Sequence, residues 1–232
     1  LNNAHSGDLI ENTADVTWTS LPGDVSQPQS PENPRSKERD YENDSPVDVY
    51  GRSASASIEV PSSLPSTGFA PGRITPTGPQ PADKAYQPSN LWLEIPSLDV
   101  EAPITGVPYD GATWDLTWLG SQVGYLAGTA YPTWNGNTGL TAHVYNADGT
   151  PGPFVHLSEL KWGDSVLVHA YGQTFRYEVR SVQRVWPNAL DTLQHKTTPW
   201  LTLLTCQGYD ETNSSYTWRV AVQAVLVEVT QP

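Results

Sequence analysis

The sequence predicts an all-β protein, a sandwich or a barrel, that follows a long extended proline-rich segment. The first 88 residues hold 12 of the 21 prolines, 12 acidic residues against 6 basic ones, and a single tryptophan. From about Leu91 onward, short runs rich in Val, Leu, Thr, Tyr and Trp are separated by Gly, Pro, Asn and Asp, which is typical of all-β domains. We therefore predict two parts, an N-terminal segment at 1–88 and a β domain at 89–232.

The N-terminal segment has no sustained apolar period. Such a composition buries too little apolar surface to offset the entropy lost on ordering, so it predicts an extended linker or stalk. Only "DVTWTSL", residues Asp15–Leu21, has strand-like alternation. The chain has no methionine, even at position 1, so we expect that the native N-terminus was removed, and a signal peptide or membrane anchor would fit.

Three stretches of the β domain predict its clearest strands. Ser165–Val185 is predicted to be a hairpin that turns at "YGQ", because apolar and polar residues alternate after that turn. Trp200–Cys206 and Thr217–Val229 are two further apolar strands, separated by a polar loop. Helix is scarce, and only Gly152–Leu160 is predicted to form one or two helical turns beside the sheet.

Composition excludes several classes of partner and site. The net charge is -13, and the 12 Lys and Arg residues do not cluster, so nucleic acid is not expected as a partner. No run of 18 apolar residues exists, and the single cysteine, Cys206, excludes an internal disulfide and a cysteine-rich zinc site. Acidic residues such as Asp110, Asp115, Asp148 and Glu159 are scattered, so no metal site and no cofactor is expected.

Cys206 comes just before a polar loop, so its thiol is predicted to lie at a strand end on a rim of the domain. A cysteine nucleophile needs a proton-transfer partner and a cation or dipole for the developing oxyanion. His143 lies at a comparable strand end, and Arg219, 13 residues after the cysteine, would lie beside it if the two strands are neighbours. Two interpretations remain open from these residues: a cysteine transferase or protease, or a plain β domain with a buried thiol.

Several motifs together resemble the sortase family. "TLLTC" (Thr202–Cys206) is similar to the TLxTC motif of that family, and "TAH", ending at His143, is similar to its histidine-bearing strand end. Arg219 in "TWRVAV" falls where the family has its arginine. "LWLEIPSLDVEAPI" (Leu91–Ile104) looks like the first strand pair of sortases, and "FVHLSELKWGDSVLV" is similar to the segment after their histidine. The resemblance covers roughly residues 91–230.

The resemblance implies a closed β-barrel of about eight strands with one or two short helices. It also implies a cysteine transpeptidase, a hydrolase or transferase that acts on peptide bonds of LPxTG-type signals. Cys206 would attack the carbonyl between Thr and Gly and form a thioacyl intermediate. His143 would protonate the departing glycine amine and then deprotonate the incoming amine. Arg219 would donate hydrogen bonds to the oxyanion or hold the substrate backbone.

A substrate pocket is implied by the same resemblance. Thr205 adjoins the nucleophile, and the connection Pro187–Pro199 matches the place of the family's specificity loop. Three apolar residues of this loop are candidates to line a pocket for the Leu-Pro of the signal: Ala189, Leu190 and Leu193. The alternative is a solvated loop with one anchoring leucine.

The N-terminal segment contains an LPxTG sequence of its own: Leu64, Pro65, Ser66, Thr67 and Gly68. A folded domain follows it, whereas a sorting signal is followed by a transmembrane stretch at the end of its protein. Three hypotheses remain: a pseudosubstrate in the chain's own groove, self-association through residues 62–72 in the groove of a neighbouring copy, or a spacer with an accidental match. We favour docking and predict that Thr67 lies near a Cys206, in the same chain or a neighbour.

Two functions are therefore weighed. The first is a sortase-like transpeptidase at the extracellular bacterial cell surface, membrane-anchored or secreted through an N-terminal segment absent from this chain. Its partners would be LPxTG-type surface proteins and an amine acceptor, either a cell-wall precursor or a pilin-like protein. The second is a structural surface protein that forms filaments, in which the LPSTG-bearing segment docks into the sortase-like groove of a neighbouring subunit.

Overall fold

The computed structural model describes residues 9–19, 49–59, 63–111 and 113–231. Much of the predicted N-terminal segment, residues 1–8, 20–48 and 60–62, therefore lies outside the described residues, as do the last residues of the strand-like stretch at 15–21. The chain divides into two compact units, one at Leu9–Ile58 and one that contains everything from Glu59 onward.

The first unit contains a two-stranded sheet of β1 (Leu9–Thr19) and β2 (Val49–Glu59). The sequence indicated strand character only from Asp15 onward, and it did not predict β2. The reason is compositional, because "GRSASAS" within β2 alternates small residues rather than apolar and polar ones. The Thr13 and Ser55 hydroxyl groups form a hydrogen bond of 2.8 Å between these strands.

The second unit is a closed mixed barrel of eight strands, which confirms the predicted fold class. Around the barrel the strands are ordered β10, β8, β7, β3, β4, β5, β6 and β9. Only the β4–β5 and β6–β9 pairs are parallel, and the other pairs are antiparallel. The strand bounds are β3 Gln87–Ile95, β4 Val100–Val107, β5 Val123–Leu126, β6 Gly136–Thr141, β7 Ser165–Ala170, β8 Gln173–Val185, β9 Pro199–Asp210 and β10 Ser215–Thr230.

The predicted hairpin at 165–185 is confirmed as β7 and β8. Tyr171 and Gly172 form its turn with φ angles of 55° and 71°, the left-handed conformation that two-residue hairpin turns require. Beyond the turn, Phe175 and Tyr177 face the barrel interior and are buried. The alternation that predicted the hairpin is therefore the alternation between the core and the solvent.

Helical structure is confined to 3₁₀ turns in the described part of the chain, at Ala82–Lys84, Pro96–Leu98, Leu157–Glu159 and Leu190–Leu193. The turn at Leu157–Glu159 lies inside the stretch predicted to form one or two helical turns. Among the described residues, no helix has the length and apolar character needed to cross a bilayer.

The last two strands differ from the prediction in one respect that concerns the site. β9 continues through Cys206 to Asp210, so the cysteine lies within a strand rather than at its end. The polar residues after Cys206 pair with the start of β10, and Tyr209 packs edge-on against Tyr216 with ring centroids 5.0 Å apart. Aromatic pairs across two strands stabilise the end of a hairpin without a run of hydrophobic residues. The polar sequence after Cys206 therefore predicted a loop, although it forms a strand.

Candidate active site

Cys206 and Arg219 are directly opposite each other on the antiparallel strands β9 and β10. The predicted proximity is therefore present, because these two strands are neighbours. Both side chains are buried, with 1% of Cys206 and 6% of Arg219 exposed. The guanidinium Nη1 of Arg219 donates to the carbonyl oxygens of Tyr216 and Trp218, at 3.3 and 3.1 Å. These two bonds hold the arginine on its own strand beside the thiol.

His143 follows the end of β6 by two residues and is 2% exposed. Burial lowers the pKa of His143 to about 4, and the backbone of Leu116 and of Thr67 offsets only part of this effect. Neither ring nitrogen has a well-aligned hydrogen-bond partner among the described residues. The imidazole is therefore neutral at pH 7 in this state, and its proton-transfer capacity is not engaged.

The LPSTG sequence lies against these residues, in the same compact unit of the same chain. The Thr67 amide N–H donates to the Sγ atom of Cys206 at 3.1 Å, and the Thr67 carbonyl oxygen accepts from the Val144 N–H at 2.9 Å. Phe69 packs on the His143 ring with centroids 5.1 Å apart. Thr67 itself is 0% exposed. We call residues 64–75 the docked segment.

The Arg219 side chain contacts the backbone of the docked segment. Its Nε atom donates to the Pro65 carbonyl oxygen at 2.8 Å, two residues before the threonine carbonyl that a transpeptidase would attack. The arginine therefore binds the backbone of the docked segment upstream of Thr67. A guanidinium that is already fixed by two carbonyl groups binds a third at little further entropic cost.

Leu64 anchors the start of the docked segment in a hydrophobic cluster. It is 1% exposed, and its N–H donates to the Pro187 carbonyl oxygen at 2.6 Å. The cluster contains Leu64 together with all three predicted pocket residues, which are partly buried: Ala189, Leu190 and Leu193. The loop at 187–199 therefore packs against Leu64 instead of extending into solvent.

Buried polar groups hold this loop in place. The Asn137 side-chain amide donates to the carbonyl oxygens of Thr192 and Gln194, and the Thr202 hydroxyl donates to Asn137 Oδ1 at 2.8 Å. Gln223 of β10 also donates to the Thr192 carbonyl at 3.1 Å. Because these donors come from three barrel strands, the barrel fixes the position of the loop.

Thr205, predicted to shape the pocket, donates its hydroxyl to the Ala142 carbonyl oxygen at 3.0 Å. The Thr67 hydroxyl lies 3.5 Å from the same Thr205 oxygen, a long contact. Thr205 therefore links β9 to the residue before His143 and borders the threonine of the docked segment.

Two contacting residues were not predicted from the sequence. Val144 and Tyr216 border the docked segment after Thr67, and the Tyr216 hydroxyl donates to the Phe69 carbonyl oxygen at 2.7 Å. Burial raises the pKa of Tyr216, so this hydroxyl keeps its proton. Val144 binds the docked segment through its backbone N–H, which every residue except proline has, so its side chain could not predict this contact. The only clue in the sequence is that Val144 follows His143.

No group of three or more His, Cys, Asp and Glu side chains that could hold a metal ion occurs in the ranges that the structure describes.

A model of the sortase domain matches residues 93–227, more than half of the chain. The chain belongs to the sortase family. Sortases are cysteine transpeptidases associated with the cell surface. The matched range contains Cys206, His143 and Arg219 but not the docked segment.

Solved structures show the same relationship. Sortase C-1 from Actinomyces oris is 30% identical over 61% of this chain and 75% of that chain, with a TM-score of 0.50. A lid mutant of sortase A from Corynebacterium diphtheriae is 26% identical over 63% of this sortase and 74% of the other, with a TM-score of 0.51. Sortase C-3 from Streptococcus pneumoniae, at 21% identity and TM-score 0.53 over 70% and 74% of the two chains, shares the fold. No curated protein matches the sequence.

Proposed function

We propose that this sortase cleaves LPxTG-type signals between Thr and Gly, transfers the acyl group to an amine, and is held inactive by its own LPSTG segment. The observation that carries the proposal is the hydrogen bond of 3.1 Å from the Thr67 N–H to Cys206 Sγ. It brings the Thr-Gly bond of an LPxTG sequence next to the only thiol of the chain. The partners would be LPxTG-type surface proteins and an amine acceptor, at the cell surface.

In the acylation step, the Cys206 thiolate attacks the threonine carbonyl carbon, and the carbonyl π electrons move to oxygen. The C–N bond then breaks as the glycine nitrogen takes a proton from the His143 imidazolium, which leaves a thioester on Cys206. The Val144 N–H, 2.9 Å from the Thr67 carbonyl oxygen, faces the position where the negative charge develops. Arg219 holds the signal in register through the backbone two residues upstream.

In the transfer step, an incoming amine gives its proton to neutral His143 and attacks the thioester carbon. The C–S bond breaks and the thiolate is regenerated. Water competes with the amine for the same carbon, so exclusion of water favours transfer. The near-complete burial of Cys206 and His143 beneath a bound LPxTG segment supports such exclusion.

Regulation follows from occupancy of the groove. With the segment docked, Cys206 accepts a hydrogen bond from Thr67 and Phe69 covers the His143 ring, so a signal supplied in trans has no access to the thiol. A signal in trans must first displace residues 64–75, which are also tied at Gly72 and Thr75 to the carbonyl oxygens of Gly149 and Ala147. The segment would thus act as an intramolecular inhibitor that competes with the signal for the groove.

The filament-forming alternative is not favoured. Docking in a neighbouring subunit would require the segment to reach another copy, whereas its contacts here are with the groove of its own chain. Sedimentation velocity over a hundredfold concentration range distinguishes docking within one chain from docking between subunits. We expect a monomer at every concentration. Growth of large assemblies that Leu64→Ala with Pro65→Ala abolishes would support the filament instead.

The enzymatic proposal is tested by intact mass and by cleavage of a fluorogenic LPxTG peptide. We expect the full chain, and more strongly the Leu64→Ala, Pro65→Ala variant, to form a thioacyl adduct and to cleave the peptide after Thr. Cys206→Ala should abolish both, because the chain has no second thiol. If neither the wild type nor the variant cleaves the peptide or forms an adduct, the chain is not an active transpeptidase.

Arg219→Lys should lower kcat/KM for the peptide about 100-fold, the range seen when one donor of a preorganised site is lost. Lysine keeps the charge but cannot bond the Pro65 carbonyl and two strand carbonyls in the planar arrangement of the guanidinium. Arg176→Lys on β8 is the matched control, because Arg176 pairs with Glu228 on the outer surface at 2.9 Å. Equal kcat/KM values for the two variants would contradict the proposed role of Arg219.

A further inference from the structure

A cavity of about 290 Å³ lies on the barrel surface where the β7–β8 hairpin turns beside β3. The active site is at the opposite end of β10, because this strand pairs with β8 from Arg219, opposite Val185, to Thr230, opposite Thr174. The stretch of strand between these two pairs spans roughly 30 Å. The cavity is therefore separate from the groove that holds the docked segment. Its lining includes two aromatic and four polar side chains that the proposed activity does not use: Trp92, Tyr171, Asn90, His169, Gln173 and Thr174.

Three of these residues form a row across neighbouring strands. Trp92 on β3 is directly opposite His169 on β7, and His169 is directly opposite Thr174 on β8. Residues that are paired in this way present their side chains on the same face of a sheet. Trp92 is exposed, so this face is the outer one. The row therefore presents an aromatic ring beside polar groups to the solvent.

Two backbone irregularities place further side chains at the cavity. Tyr171 has a φ angle of 55°, which is rare for a bulky residue, whereas Asn or Gly adopts this conformation readily in a hairpin turn. The pairing of β3 with β4 shifts between Pro88 and Leu91, the interval that contains Asn90. Irregularities of these two kinds are concentrated at binding sites, where the position of a side chain matters more than local stability. Tyr171 is 67% exposed, so burial of its ring does not explain its conformation.

The aromatic lining continues beyond the cavity. A side-chain hydrogen bond with Tyr171 raises the pKa of Tyr131, so these two residues are neighbours. The Tyr131 ring packs against that of Trp134 with centroids 5.5 Å apart, and Trp134 is exposed. We call Trp92, Tyr171, Tyr131 and Trp134 the aromatic surface. Isolated exposed aromatic residues are common, but a contiguous group of them indicates a binding site.

The cavity offers hydrogen bonds but little charge. Among the described residues that line it, none is an Asp, Glu, Lys or Arg. The two ring nitrogens of His169 are already used, since Nδ1 lies 3.1 Å from the Thr174 hydroxyl oxygen and Nε2 lies 2.9 Å from a Glu94 carboxylate oxygen. The amides of Asn90 and Gln173 each carry donors and an acceptor. The net charge of -13 also disfavours an anionic polymer. These properties fit an uncharged ligand that has hydroxyl groups.

We propose that the aromatic surface and the cavity beside it bind an uncharged polysaccharide of pyranose sugars. The C–H face of a pyranose ring packs on an aromatic ring, and its hydroxyl groups, which both donate and accept, match the amides of Asn90 and Gln173. A proline-rich peptide also packs on aromatic rings, but its carbonyl groups only accept. The inference goes beyond the proposed transpeptidase function and does not depend on it. A glycan bound here leaves the groove at the other end of the barrel open.

Binding is tested by isothermal titration calorimetry of the full chain with β-1,4-linked hexasaccharides of glucose, N-acetylglucosamine and mannose. We expect at least one of them to bind, and its affinity to fall about tenfold or more in Trp92→Ala and in Tyr171→Asn. Tyr171→Asn removes the ring but suits the left-handed turn, so its thermal unfolding midpoint should equal or exceed that of the wild type. Trp134→Ala, at the other end of the aromatic surface, should also weaken binding.

Trp162→Ala is the matched control. Trp162 is 71% exposed, similar to Tyr171, but it lies in the turn before β7 and does not line the cavity. We expect this variant to bind the hexasaccharide as the wild type does. A loss of affinity in Trp162→Ala as large as in Trp92→Ala and Tyr171→Asn would overturn the assignment of the site.

Three other results would overturn the proposal. The first is the failure of all three hexasaccharides to bind at millimolar concentration. The second is binding that Trp92→Ala and Tyr171→Asn leave unchanged, because the sugar would then be bound elsewhere. The third is tighter binding of polygalacturonate or of a proline-rich peptide than of every hexasaccharide, which would assign the surface to a polyanion or to a peptide. Since no step of the test needs peptide cleavage, an inactive transpeptidase would leave its result intact.

Discussion

Leu64→Ala is expected to raise the alkylation rate of Cys206 about thirtyfold. The Leu64 side chain is 1% exposed in a cluster with the loop at 187–199, and truncation of a buried leucine costs about 2 kcal/mol or more. A cost of about 2 kcal/mol changes the ratio of docked to undocked segment by roughly 30-fold. The adduct is unambiguous by mass, because the chain has a single cysteine.

Ile74→Ala is the matched control for this prediction. Ile74 belongs to the same docked segment, but it is 79% exposed, so its truncation removes no buried contact. We expect its alkylation rate to equal that of the wild type. A Leu64→Ala rate that also equals the wild type would mean that the segment does not limit access to the thiol, and the inhibitory role of the segment would be lost.

His143 is expected to titrate with a pKa of about 4 in the wild type, and with a higher pKa, closer to that of an exposed histidine, when the segment is released. Burial is the larger cause of the low value, and Phe69 and Thr67 of the docked segment supply part of that burial. In the Leu64→Ala, Pro65→Ala variant, water would reach the ring, and hydration favours the imidazolium. Titration of the histidine Cε1–H signals by NMR measures the difference.

The low pKa also links stability to pH. Unfolded chains bind a proton on this histidine below about pH 6.5, whereas the folded chain binds it only near pH 4. Stability from neutral His143 is therefore complete above about pH 6.5 and is lost as the pH falls toward 4, by on the order of 3 kcal/mol.

Urea unfolding measures this link between stability and pH. The free energy of unfolding should fall more between pH 7 and pH 5 for the wild type than for His143→Gln, since all other titrating groups are common to both. Equal falls for the two proteins, or a wild-type His143 signal that titrates near pH 6.5, would show that the ring is not buried as described.

The sequence predicted that Cys206, His143 and Arg219 would lie together, and the structure brings all three into contact with the docked segment. Their motifs are readable because the strands that carry them have strong apolar patterns; their catalytic roles are the proposal made above. The register that places Arg219 opposite Cys206 follows from a short hairpin between neighbouring strands. The extension of β9 beyond Cys206 was missed, because Gln207–Asp210 is polar and pairs outside the hydrophobic interior.

Residues that act through their backbone could not be predicted in this way. The Val144 N–H contacts the threonine carbonyl, and the Pro187 carbonyl holds Leu64, yet any residue type supplies such groups. The close packing of Val144 and Tyr216 against Gly68 is equally hidden, because a valine after a histidine and a tyrosine at the start of a strand are common.

The family and the candidate catalytic groups follow from residues that are close in sequence or specified by a motif. Which groove receives Leu64–Gly68 does not follow from them, because Thr67 and Cys206 are 139 residues apart. Sequence patterns report which face of a strand is apolar, and a proline-rich segment has no such face. Only the closed barrel, by bringing Val144, Pro187, Tyr216 and Arg219 to one groove, creates the carbonyl and amide partners that an extended segment needs in order to bind.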